Sequence, residues 1–413
     1  MVKVFYTNKK QGFSRVYNTE LKSFQDIKAY VSEGFFLMKP YKRTDVGLIE
    51  YAEALLKCCH ELKQDKENPI DYLRYKNHST AVIGYLKYKI NHKVVDFDDT
   101  SYTEHLWISK CNTGALVGLY QDKDIAVDTS SYDFKSMYPA TLGNRTASLQ
   151  IPTKVGAECR INNLDYYKLD TGFYCVKITS DDENFRKVFN FSTAHTYTNI
   201  DLCFAYKCQR NGMQVNIELN TSLEFNCYLY GRLIADGIMY SSKVFGDWYC
   251  DLYALKLKYP TNFLLKSMLS SAWGYMTQCN RLKKTIDQIE DLESKGLYVT
   301  TSYTNDDNAH YYMNFLECSG DDVIYELINL KQVYKRPKIA RIKPFLISHT
   351  RRMTGNIALL HIEDVVRIHT DCVSFNKPHD DVMTKYKGYP TLVKEAKSSG
   401  KIVWSSVNQY AKE

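Results

Sequence analysis

The stretch "DIAVDTSSYDFKSMYP", residues 124–139, constrains the chain more than any other. Residues 124–134 read as an extended segment that ends on a carboxylate, Asp133. Pro139 crowds the residue before it, which drives Tyr138 out of helical geometry. Asp133 is therefore expected at a strand tip, followed by a serine and a tyrosine locked against a proline. An acid in that position is by default a turn former, so its use depends on partners elsewhere.

A second acid is offered by "EDVVRIHTDCVSF", Glu363 to Phe375, where Val366, Ile368 and Thr370 alternate before Asp371 and Val373 and Phe375 after it. That pattern predicts a hairpin with an acid at its turn. Helices are predicted over 44–64, with Thr44 or Asp45 as cap and Val46, Ile49, Ala52, Leu55 and Leu56 on one face, over 262–277 after Pro260, and over 346–360. Strands and helices without repeats give an α+β chain, and its 413 residues exceed what one core usually serves, so two or three units are expected.

The net charge of +7 is compatible with a polyanionic partner, and its distribution says more. "KQVYKRPKIARIK", residues 331–343, carries Lys331, Lys335, Arg336, Lys338, Arg341 and Lys343 without one acid, and Tyr334 lies inside it. Such a run suits a track along a phosphate backbone, although basic runs are more often solvated surface. Tyrosine is abundant at 34 copies, which suits base stacking or reflects no more than a biased genome. The twelve cysteines form no CxxC pair, and Cys203 and Cys208 lack a matching cluster, so reduced thiols without a cysteine zinc site are expected. No stretch has the length of a signal peptide core or a membrane span, so the expectation is a soluble protein of the host cytoplasm or nucleus, not secreted and without a membrane partner.

Nucleotidyl transfer from a triphosphate needs two divalent cations clamping the attacking and leaving oxygens, and hard cations want carboxylates held close together. Asp133 and Asp371 could serve if folding joins them, and strand tips in one sheet would do so. Lys266, with Lys256 or Lys258, would neutralise the phosphates, the kind of electrostatic positioning that carries most phosphoryl-transfer catalysis.

These residues carry a resemblance. "DFKSMYP", Asp133 to Pro139, resembles motif A of family B DNA polymerases, "KSMLSSAWGY", Lys266 to Tyr275, their motif B, and "HTDC", His369 to Cys372, their motif C. "NTGA", Asn112 to Ala115, is similar to the motif between exonuclease and polymerase parts, and "YKRTD", Tyr41 to Asp45, to the third exonuclease motif. The order is that of the family, and the long gaps between motifs resemble the protein-primed branch of bacteriophages, adenoviruses, linear plasmids and Maverick-type elements.

The resemblance implies a right-hand palm, with an antiparallel sheet, and helical fingers. It implies that Asp133 and Asp371 are catalytic and hold two Mg²⁺ or Mn²⁺ ions, and that the backbone from Phe134 through Ser136 to Met137 touches triphosphate oxygens. Tyr138 would lie under the incoming sugar and exclude a 2′-hydroxyl. Lys266, with Lys256 or Lys258, would bind phosphates, Ser270 and Trp273 would face the nascent pair, and Gly274 would let it approach. Gly114, Thr370 and Tyr410 by the resemblance, and Lys335, Arg336 and Lys338 by the basic run, would contact DNA, and Tyr41 and Asp45 would be an exonuclease remnant. Expected segments are 1–60 (exonuclease remnant), 61–145 (linker and first palm strand), 146–241 (palm and priming-protein insertion), 242–280 (fingers), 281–340 (second insertion) and 341–413 (palm with motif C and a vestigial thumb start).

Three departures bear on function. His369 stands where motif C has its first aspartate, and a neutral imidazole is a poor ligand for Mg²⁺, so weaker metal binding is expected. Ser270 replaces an asparagine. The other acidic exonuclease motifs are missing, which suggests one piece of a split or shortened polymerase whose second polypeptide carries them. Partners would then be template-primer DNA, deoxynucleoside triphosphates and a terminal priming protein, in viral or mobile-element replication. The alternatives are a catalytically silent DNA-binding subunit and, more weakly, a two-metal nuclease, which would have no use for Lys266 and Tyr138.

Overall fold

The computed structural model describes residues 2–8, 13–20, 22–26, 36–38, 45–75, 77–90, 96–111, 114–146, 149–231, 237–301, 309–319, 322–379 and 381–412. The chain folds as two compact units, one of residues 1–94, 142–145 and 242–275, the other of 95–141, 146–241 and 276–413. Residues 61–94 thus fold with the N-terminal stretch and the 242–275 helices, although the sequence places them on the way into the palm.

In the first unit, strand Val2–Asn8 pairs antiparallel with Phe13–Asn18 and parallel with Phe36–Met38, and Ser23–Asp26 completes the sheet. Helix Asp45–Gln64 follows the predicted span, but its buried stripe is Ala52, Leu55, Cys58, Cys59 and Leu62, while Val46 is 66% exposed. Helix His78–Lys89 opens with a capping box between Asn77 and Thr80, which satisfies two amides that the first turn cannot. Helices Ser241–Lys258 and Phe263–Met276 are separated by residues 259–262. The Asn262 side chain there donates to the carbonyl of Cys58 at 3.1 Å and to Glu61 at 3.0 Å, fixing the start of the second helix.

The second unit is built around a six-stranded antiparallel sheet. Its strands are β1 (Val117–Leu119), β2 (Ala126–Phe134), β3 (Val365–His369), β4 (Cys372–Phe375), β5 (Leu392–Ser406) and β6 (Gln409–Lys412), in the order β6-β5-β2-β4-β3-β1. The predicted extended segment and hairpin are β2 and β3-β4, and they occupy the middle of this sheet. Helix Ile342–Ala358 packs on it, burying Phe345, Leu346, Ile347 and Ile357. It begins four residues before the predicted span, because Pro344 falls in the first turn, where its missing N–H is not needed. Residues 150–241 add a five-stranded sheet centred on Gly172–Thr179 and the helix Asn199–Arg210, and residues 281–329 add a four-stranded sheet.

The basic run 331–343 is not a continuous surface track. Arg341 is fully buried, its guanidinium donating to both oxygens of Glu104 at 2.7 and 2.9 Å and to the carbonyls of Asp98 and Thr153. Lys343 donates to the Thr277 hydroxyl at 2.7 Å, and burial lowers its pKa. Lys331, Lys335 and Lys338 remain exposed. The described cysteines are free thiols, and no described helix is long and apolar enough to cross a membrane.

Candidate active site

β2 and β4 pair so that Asp133 lies opposite Cys372, and the amide of Phe134 donates to the carbonyl of Asp371 at 2.9 Å. Two acids remote in sequence are therefore carried by adjoining positions at the sheet centre. Further along the same pair the hydroxyls of Ser131 and Ser374 meet at 2.7 Å, which fixes the register from inside. A slip of one residue would turn Asp133 to the other face.

Asp371 closes the two-residue turn between β3 and β4. Thr370 precedes it at φ 57°, a left-handed conformation that a β-branched residue resists. Three bonds hold it there: its amide donates to Leu116 at 2.9 Å, its carbonyl accepts from the Thr354 hydroxyl at 3.0 Å, and its own hydroxyl donates to Asp371 Oδ1 at 2.7 Å. The predicted DNA contact at Thr370 thus has its amide and hydroxyl engaged inside the turn.

On the other strand, Ser136 takes φ 53° and the helix Met137–Gly143 starts immediately. Tyr138 is helical, contrary to the expectation from Pro139, since a proline within the first turn gives up an N–H that has no partner there anyway. The Phe134 ring is fully buried against Tyr386, its amide serves Asp371, and the amide of Lys135 donates to Thr391 at 2.9 Å. The backbone expected to meet a triphosphate is accordingly narrowed to the stretch after Lys135. Tyr138 is 7% exposed. Its phenol is pushed up to about 12, first by burial and then by the Asp371 carboxylate, while Thr350 and Arg351 pull the other way.

His369 is half-buried, and burial, aided by Arg367, lowers its pKa, so the imidazole is neutral near pH 7. Asp371 and Glu395 oppose that shift without reversing it. The Gly114 carbonyl accepts from Arg351 at 2.8 Å and Asn190 at 3.0 Å, and Arg351 also grips Asp201 with both contacts under 3.0 Å. A Cβ on Gly114 would meet only open space, so its carbonyl rather than its lack of a side chain is what the fold uses. Residues 112 and 113 and Tyr41 lie outside the described residues, and Asp45 opens its helix.

Within the first unit, Lys266, Ser270 and Gly274 are exposed at a spacing of four on helix Phe263–Met276, with Trp273 half-buried beside them. The opposite face buries Leu265, Met268, Leu269, Ala272 and Met276. A Cβ on Gly274 would meet nothing, so this stripe is clear of other side chains at that point. Lys258 is paired with the buried carboxylate of Asp65 at 2.7 Å, and Lys256 lies over the Tyr253 ring at 5.8 Å. Of the two lysines left open as phosphate ligand, Lys258 is thus the one engaged by a buried acid. In the second unit Arg336 donates to Gln278 at 2.9 Å, and Tyr410 on β6 rests against Trp404.

Thr350, Arg351 and Thr354 were not singled out from sequence. Their signal was present in "HTRRMTGN", two hydroxyls four apart on a helix with two arginines between, leading into motif C.

A family model described as DNA polymerase type B, organellar and viral, matches residues 108–336, a span that includes Asp133 and Lys266 and ends before Asp371. Among solved structures, phi29 DNA polymerase complexed with single-stranded DNA is similar at 14% identity and TM-score 0.56, over 88% of this chain and 57% of that one. Phi29 DNA polymerase with primer-template DNA and incoming nucleotide substrates is similar at 14% identity and TM-score 0.55, over 90% of this chain and 59% of that one. The chain thus spans less than two thirds of these polymerases, and at this identity the likeness is one of fold. No curated protein matches the chain.

Proposed function

The chain belongs to the organellar and viral type B DNA polymerases, and on that premise we propose that it performs the nucleotidyl-transfer step, adding deoxynucleotides to a primer 3′-hydroxyl or to a terminal-protein hydroxyl on a DNA template. The observation that carries this reading is the placement of Asp133 on β2 beside Asp371, the turn residue that leads into the paired strand β4. Two hard carboxylates, one on a central strand and one in the tight turn entering its neighbour, fit a pair of Mg²⁺ or Mn²⁺ ions, and the neutral imidazole of His369 does not add to them. Bound there, such ions supply charge neutralisation at the attacking and leaving oxygens. The protein's own part is positioning: Tyr138 closes the space under the sugar, Lys256 and Lys266 receive phosphates, Trp273 stacks and Gly274 leaves room.

The partners of this reading are template-primer DNA and deoxynucleoside triphosphates, with a terminal protein and a second polypeptide bearing exonuclease motifs as further candidates. His369 in place of an acid favours one rival, a DNA-binding subunit without catalysis. Primer extension by the purified chain in Mg²⁺ and in Mn²⁺, beside Asp371→Asn, separates the two. Extension that falls by roughly 10²-fold or more in Asp371→Asn supports the polymerase reading. DNA binding without extension in either metal supports the silent subunit.

A further inference from the structure

We propose that His361, His379 and Asp381, with Asp364 beside them, form a transition-metal site, best suited to Zn²⁺, that staples the open end of the hairpin bearing Asp371. One ligand atom from each of His361, His379 and Asp381 lies within 4.8 Å of the others, the one group of three or more such residues among the described residues. His361 Nε2 is 2.9 and 3.0 Å from the two Asp381 oxygens, and His379 Nε2 is 2.9 Å from Asp364 Oδ2. A tetrahedral zinc with bonds of about 2.0–2.1 Å holds neighbouring ligand atoms roughly 3.3 Å apart, so these contacts need little change. Two imidazoles with carboxylates select Zn²⁺ over Mg²⁺, which prefers an all-oxygen shell.

The supports of the site are in place. His361 and Asp364 belong to the short 3₁₀ segment Leu359–Asp364 that leads into β3, and His379 and Asp381 follow β4. Between the two segments, the amide of Asn376 donates to the carbonyl of Asp364 at 2.9 Å. His379 is fixed through its backbone by Tyr132, whose hydroxyl donates to the His379 carbonyl at 2.9 Å and accepts from its amide at 3.1 Å. Tyr132 adjoins Asp133 on β2, so an ion here would brace both acid-bearing strands from the end opposite the turn. Five residues of β3, roughly 16 Å of strand, separate this cluster from the turn at Asp371, so it is a site apart from the catalytic pair.

Uptake of an ion requires two adjustments. The imidazoles of His361 and His379 stack at 3.7 Å and 9°, and their rings must tilt for the lone pairs to converge. Lys377 and Lys385, which now hold Asp364 and Asp381, must release them; both are more than half exposed, at 59% and 54%, and lose only surface pairs.

The test uses the full chain, stripped with a chelator and titrated with ZnCl₂. Expected is one equivalent of tightly bound zinc, retained by the Asp133→Asn/Asp371→Asn double variant and accompanied by a rise in melting temperature. Asp381→Asn and His379→Ala should each weaken zinc binding by at least roughly 10-fold, the loss that even an outer partner of a ligand produces. Circular dichroism establishes that each variant is folded, and Asp381→Asn, the milder change, decides if His379→Ala is not. Co²⁺ in place of zinc should give the visible absorption of a tetrahedral site. No zinc uptake, or uptake that disappears with Asp133 and Asp371 and is unchanged in Asp381→Asn, overturns the proposal.

Discussion

The amide of Phe134 donates to the carbonyl of Asp371 across 2.9 Å of paired strand. That one bond, with Asp133 registered against Cys372, sets the backbone positions of the two acids side by side through sheet pairing. Loops serve a different end here. The left-handed Thr370 and Ser136 sit one residue before Asp371 and three after Asp133, and backbone strain of this kind persists only where surrounding contacts determine it.

Thr354 is the contact to remove. Fully buried on helix Ile342–Ala358, its hydroxyl donates to Thr370 at 3.0 Å and touches the sulfur of Met137 at 3.8 Å, so it reaches both turns. Thr354→Val keeps the shape and leaves a buried carbonyl unmet, at a cost of about 1–3 kcal/mol. The expected result is a fall in the primer-extension rate of roughly 10-fold, with nucleotide KM little changed, since a misplaced group costs the transition state first. Thr354→Ser should restore the rate; single-turnover kinetics of the two variants makes the comparison.

Lys256 and Lys258 should separate in function although two residues apart. Lys258 faces Asp65, whose side chain is 1% exposed, while Lys256 lies over the Tyr253 ring at 5.8 Å. Lys256→Ala should raise the nucleotide KM by roughly 10-fold with little change in melting temperature. Lys258→Ala should lower the melting temperature, because it leaves a buried carboxylate without its counter-ion, and should leave KM near the wild-type value.

How far the sequence reached depended on whether a feature was local. The strand ending at Asp133 and the hairpin turning at Asp371 were legible because alternation and turn chemistry are carried by neighbouring residues. Helix Phe263–Met276 was legible from its apolar period, and its polar stripe of Lys266, Ser270 and Gly274 followed. The basic run misled because charge counts do not reveal burial. Arg341 reads as one more cation until Glu104, far away in sequence, is seen to hold it. Pro139 misled for a subtler reason: the rule that a proline disfavours helix in the residue before it yields in a first turn, and only the left-handed Ser136 shows that a turn begins there. The association of residues 1–94 with 242–275 had no sequence signal at all, since it rests on contacts between distant segments.

Acid should loosen the first unit through Asp65. Its carboxylate is held well below the usual range, chiefly by Lys258 and then by the amide of Asn68, with Tyr259 and Glu67 adding bonds. A folded pKa below the unfolded value of about 3.9 contributes stability that is present above that pH and lost as pH falls toward the folded value. Melting temperature should therefore drop more steeply below about pH 4 in the wild type than in Asp65→Asn, which is already weakened at pH 7. Parallel acid-loss curves for the two proteins would remove Asp65 from the account.

Arg341 and its basic neighbours give opposite signatures. Arg341 and Glu104 are both 0% exposed and doubly bonded, and Tyr230 adds a bond of 2.7 Å to the same carboxylate. Arg341→Ala strands that charge, and loss of one partner of a buried pair costs about 3–5 kcal/mol. Arg341→Met, which fills the volume, still leaves Glu104 uncompensated, so only Arg341→Met with Glu104→Gln should recover much of the loss. Lys335→Ala and Lys338→Ala, at exposed positions, should leave stability within roughly 0.5 kcal/mol. If these lysines do track a phosphate backbone, each substitution lowers the salt slope of DNA binding by about 1, and no Arg341 variant that still folds changes that slope. Melting curves and binding titrations between low and moderate salt read both predictions, and a salt slope that follows Arg341 instead would return that residue to the DNA surface.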